Sequence, residues 1–133
     1  MNCIELHLFD SLHSNTCSVP SVHRITAFDS VDLPGDKALM LDLARTVAGV
    51  MGSPAYYAVT RASTTYFSKP DPNKQEDYNT VKAQNLGAPH VGLLEHDYYT
   101  NADVCRWLVN RANPQQMAMA EAAAIHKRLG MVS

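Results

Sequence analysis

The chain has no P-loop, no G-x-G-x-x-G turn, no H-E-x-x-H pair and no nucleophile elbow. The chemistries that carry those signatures therefore lose their usual sequence support. Cysteine is scarce: Cys3, Cys17 and Cys105 are odd in number, far apart and free of C-x-x-C spacing. That pattern argues against a disulfide scaffold, and reduced thiols in a cytoplasmic protein are the expectation. Long apolar runs are missing too. No segment reaches the roughly 20 apolar residues of a membrane span. The opening Met1-Asn2-Cys3-Ile4-Glu5 lacks the basic and apolar regions of a signal peptide. Charge of one sign never accumulates, because 11 basic and 13 acidic residues give a net charge of −2. The broad positive field of non-specific nucleic-acid binding is absent. A soluble protein with no membrane or nucleic-acid partner is the resulting expectation.

What is present is a globular composition, 46% hydrophobic and 18% charged, which argues against global disorder. One domain spanning 1–133 is expected at this length. The run from Pro54 to Ser68 is dense in aromatic, β-branched and hydroxyl residues, with no Gly or Pro after Pro54. Such side chains fit a pleated, half-buried surface, so a long strand or two bent strands are predicted at the centre of a sheet. Ile4, Leu6 and Leu8 alternate with Glu5, His7 and Phe9 and predict a first strand. Asp10 to Ser21, rich in Ser, Asn, Asp and His, reads as a long loop. Val22 to Phe28 is a weaker strand, and His90 to Glu95 a short one.

Helical spacing dominates from Asp36 to Met51, where Leu39, Met40, Leu43, Val47, Val50 and Met51 share one side. Gly52 supplies a left-handed stop and Pro54 blocks continuation. Lying between two strands, this helix is expected to be a crossover packed on one sheet face. Asp71-Pro72 opens a polar helix over 73–86. Thr100 and Asp103 form an acidic variant of a capping box before a helix that carries Val104, Trp107 and Leu108. An Ala-rich helix over 114–129 follows, with Ala118, Ala122, Ile125 and Leu129 on one face and Gly130 at its end. The fold class predicted is α+β: a three- to five-stranded sheet, mostly antiparallel or mixed, with helices packed mainly on one face.

Six histidines raise the question of a metal. His90 and His96 would stand about 20 Å apart on a straight strand, too far to share one ion. His13, Cys17 and His23 match no compact zinc spacing. Neither a metal nor a cofactor is expected. Gln115-Gln116 could read adenine edges from a helix start, but His126-Lys127-Arg128 lies at the far end, where it complements the helix dipole. Cys105 is expected as a buried, inert thiol. Glu95-His96-Asp97-Tyr98-Tyr99 is the densest reactive cluster, placed where a strand is predicted to meet a helix. A His flanked by carboxylates can act as general base, with a Tyr as proton donor.

Leu12-His13-Ser14-Asn15-Thr16, Thr65-Tyr66-Phe67-Ser68 and Glu95 follow one another in an order that resembles small ADP-ribosyltransferases. The resemblance implies a His on an early strand, an aromatic stacked on nicotinamide and a late catalytic glutamate. Ser63-Thr64-Thr65 with upstream Arg24 is similar to the arginine-initiated branch of the same family. Ser14 stands where that family has a glycine beside the His, which puts close approach of a dinucleotide in doubt.

Two functions are weighed. The first is a small non-catalytic binding or regulatory protein that pairs with another protein or with itself. Its interface would use Met117 and Met119, which lie about 200° apart on a helix and cannot both enter one core. The second is a small enzyme with a nucleotide-type pocket around Arg61, Tyr66, His96 and Tyr99. The absence of any complete catalytic motif favours the first.

Overall fold

The structure is a computed structural model that describes residues 9–30, 35–61 and 89–130. Four strands and three helices alternate along these residues: β1 (Phe9–Asn15), β2 (Ile25–Ser30), α1 (Asp36–Met51), β3 (Tyr56–Arg61), β4 (Val91–Tyr98), α2 (Ala102–Val109) and α3 (Ala112–Arg128). The sheet order is β1-β4-β2-β3. β1 runs parallel to β4, β2 parallel to β3, and β2 antiparallel to β4. The sheet is thus mixed, and its helices cover one side, as the fold class predicts.

α1 spans the residues that its apolar spacing marks out. Its Leu39, Met40, Leu43, Ala44 and Val47 lie against Ile25 and Ala27 of β2 and Leu94 of β4. The helix ends at Gly52, whose φ of 70° lets its amide donate back to the Ala48 carbonyl. The chain then enters β3 alongside β2, so β2-α1-β3 forms the expected crossover unit. At Gly92 an added Cβ would lie 2.2 Å from the Met40 sulfur, which shows how closely helix and sheet meet there. α2 starts at Asn101, whose side-chain oxygen accepts from the Asp103 and Val104 amides. α3 rests on α1, with Met117, Ala124 and Ile125 turned to the core and Trp107 of α2 partly buried beside them.

Several elements differ from the sequence reading. Within the expected loop of Asp10 to Ser21, residues 10–15 are instead strand, as part of Phe9–Asn15, because pairing with β4 overrides the weak β preference of Ser, Asn and Asp. β3 is an outer strand of the four, while β4, buried along its whole length, holds the central place expected of the 54–68 run. β4 continues through His96 and Asp97 instead of stopping at Glu95. The buried face of α3 carries Met117 and Glu121, not Ala118 and Ala122. Asn101, not Thr100, caps α2, and Cys105 on that helix is exposed rather than buried. The strand expected over Ile4–Leu8, the helix over 73–86 and Tyr66 lie outside the described residues.

Candidate active site

β4 separates its own polar residues by alternation. Gly92 and Leu94 face the helices, where Leu94 joins the main core. Leu93 instead packs with Phe28 in a second, smaller cluster on the opposite face. Glu95 follows the parity of Leu93, and His96 that of Leu94. His96 is accordingly buried beneath α3, its Nε2 lying 2.5 Å from Glu121 Oε1.

Glu95 is 6% exposed. Asn15 Nδ2 donates to its Oε2 at 2.6 Å, and the Thr16 amide fixes the other end of Asn15 by donating to Oδ1 at 2.7 Å. The carboxylate is therefore aimed by the last residue of β1. Register places His13 of β1 directly across from Glu95. On the other side Glu95 pairs with Thr26, and Thr26 pairs with Tyr57. Register thus places His13, Glu95, Thr26 and Tyr57 in one row across all four strands, with Glu95, Thr26 and Tyr57 on the face away from the described helices.

A bulge follows at once. Between the pairs His13–Glu95 and Asn15–Tyr98, β4 carries two residues where β1 carries one. Asp97 absorbs the extra residue at φ 61°, a conformation that Asp tolerates better than most side chains. It is fully buried and accepts from the Arg24 amide at 2.9 Å, the Tyr98 amide at 2.8 Å and Ser53 Oγ at 2.9 Å. His23 Nε2 lies 3.2 Å away, without the alignment of a hydrogen bond. Asp97 ties the ends of three strands together beside Glu95. Next to it, the Arg24 guanidinium reaches the Tyr98 hydroxyl at 3.4 Å, and that oxygen holds the arginine above its ordinary pKa.

His90 completes a pattern. It pairs with Asp36 at 2.7 Å, and Asp36 also accepts from the Val91 amide at 3.0 Å, joining the start of α1 to the start of β4. His23, His90 and His96 each have a different carboxylate partner. Among the described residues no three His, Cys, Asp or Glu side chains gather as a metal site.

Of the residues singled out for a pocket, His96 is under α3 and Tyr99 is half exposed beyond the end of β4. Arg61 closes β3, paired with Ser30 and four positions along the strand from Tyr57 of the Glu95 row. The structure does not bring His96 together with the Glu95 row. Met117 is buried and Met119 exposed. Glu121 is not among the residues the sequence marks, Asp97 is marked there only as a member of the 95–99 cluster, and Asn15 only as part of the Leu12–Thr16 segment. Strand alternation carried one residue past Glu95 was the available signal, since it sends Glu95 and His96 to opposite faces.

No protein-family model and no curated protein matches the sequence. Solved structures do resemble the fold. The CwlD amidase of Clostridioides difficile, solved in complex with the GerS lipoprotein, matches 95% of this chain at TM-score 0.67 and 18% identity. The catalytic domain of CwlV, an N-acetylmuramoyl-L-alanine amidase from Bacillus (Paenibacillus) polymyxa var. colistinus, matches 93% at TM-score 0.66 and 16% identity. N-acetylmuramoyl-L-alanine amidase AmiC2 of Nostoc punctiforme matches 93% at TM-score 0.58 and 20% identity. The chain spans 56–58% of the length of those proteins.

The fold is therefore one shared with amidases. That likeness overturns the expectation of a small non-catalytic binding or regulatory protein, since the matched structures are amidases and one is a catalytic domain. It equally replaces the nucleotide-pocket alternative and gives no support to a cytoplasmic, protein-binding description. Two residues of the ADP-ribosyltransferase resemblance, His13 and Glu95, do stand side by side, but in this other fold.

Proposed function

We propose that this chain forms the catalytic part of an amidase that hydrolyses an amide bond of the N-acetylmuramoyl-L-alanine kind, with Glu95 as general base. The observation that carries the reading is the placement of Glu95: a buried carboxylate, aimed by Asn15 and level with His13, on the face away from the helices. Amide hydrolysis needs a base to take a proton from the attacking water and an acid to return one to the departing amine. A single positioned carboxylate can do both in turn.

The amidase fold of the neighbours supports this substrate class. A protein partner fits the reading as well, given that the CwlD neighbour was solved with a lipoprotein. Exposed Val109 and Met119 are the apolar side chains such a contact would use here.

Incubation of the full chain with a muropeptide containing N-acetylmuramoyl-L-alanine tests the reading. The expected products are a free L-alanine amino terminus and the sugar's lactyl carboxylate, together one water heavier than the substrate. Intact muropeptide after prolonged incubation with folded protein counts against it. A parallel assay with a chelator reports whether the attacking water needs a bound metal ion.

A further inference from the structure

We propose that Tyr57 is an aromatic platform for the sugar side of the substrate, the pyranose ring that carries the scissile lactyl amide. The identity of the ligand rests on the amidase reading; the placement rests on the sheet register alone. Tyr57 pairs with Thr26, and Thr26 with Glu95, so Tyr57 shares a face with Glu95 two strands away. Strand spacing puts their backbones about 10 Å apart, room for one ring and its linkage beside the reacting amide.

Burial changes along that row. Glu95 and Thr26 are 6% and 9% exposed, whereas Tyr57 is 50% exposed. Val59, next on the same face of β3, is also exposed, and it pairs with Phe28 of the smaller apolar cluster. A tyrosine ring presents an electron-rich face to the C–H-lined face of a pyranose, while its hydroxyl can meet a polar substituent. An extended peptide would instead seek an unpaired strand edge for main-chain hydrogen bonds, so a ring on the sheet face favours the sugar.

Tyr56 supplies an internal control. It is 41% exposed, comparable to Tyr57, but it pairs with Ile25 and so belongs to the face that carries the helices. Binding of N-acetylmuramoyl-L-alanine is measured on Glu95→Gln protein, which removes turnover, with Tyr57→Ala, Tyr57→Trp or Tyr56→Ala added. Tyr57→Ala is expected to raise Kd about 5- to 10-fold, the scale of one aromatic contact. Tyr57→Trp is expected to bind within about twofold of the parent, because it keeps the ring, and Tyr56→Ala likewise. In protein with Glu95 intact, KM is expected to rise in step with Kd for Tyr57→Ala.

An unchanged Kd for Tyr57→Ala, or an equal loss for Tyr56→Ala, overturns the inference. Cleavage by wild-type protein with Kd and KM indifferent to Tyr57 sinks this inference and leaves the amidase reading standing. Binding that depends on Tyr57 without cleavage does the reverse. Absence of any binding by folded protein removes both.

Discussion

Glu95 and His96 are consecutive residues of β4, both buried and both polar, yet they serve different ends. His96 enters the helix layer and meets Glu121 of α3, so its chemistry is spent on joining two layers. Glu95 enters the opposite face, is oriented by Asn15, and stands level with His13. The difference follows from strand parity alone. One step along a pleated strand separates a side chain that holds the fold from one placed to act on a ligand.

The structural side of that comparison breaks first. Glu121→Ala leaves His96 buried without its partner, and loss of one member of a buried pair costs about 3–5 kcal/mol. The expected result is a fall of that size in chemical denaturation. Replacing both residues by leucine is expected to recover most of the loss, since two apolar side chains of similar bulk leave nothing unpaired. Asp97→Ala comes next, at about 3 kcal/mol, because it strips three hydrogen-bonded donors of their acceptor and leaves a β-carbon at φ 61°. Asp97→Asn, which tolerates the same backbone, is expected to lose less. Gly52→Ala is the smallest, about 1 kcal/mol from the left-handed C-cap, with no effect on the Glu95 row. Each value is read from the denaturation midpoint at constant slope.

How far these features were legible in the sequence depends on what each one rests upon. α1 could be bounded to the residue, because apolar spacing and a Gly stop are local signals. The crossover between β2 and β3 followed from the order of the elements. β1 could not be read, since Ser11, His13, Ser14 and Asn15 have little strand preference of their own and become a strand by pairing with β4 eighty residues later. Glu121 was equally hidden: a glutamate in an Ala-rich helix looks like a solvated face until its histidine partner arrives from another element. The reactive cluster at residues 95–99 was visible as composition, but its division between two faces required the strand to continue through a bulge at Asp97. Register, the property that aligns His13, Glu95, Thr26 and Tyr57, is set by long-range pairing and has no local signature.

The most direct test of the division between Glu95 and His96 is the hydrolysis rate of Glu95→Gln on a muramoyl-L-alanine amide, measured beside its melting temperature. The substitution keeps the shape and the Asn15 neighbour but removes the base. The account expects a rate lower by about 100-fold or more, with melting within a few degrees of wild type. A Glu95→Gln protein that cleaves at the wild-type rate would contradict it.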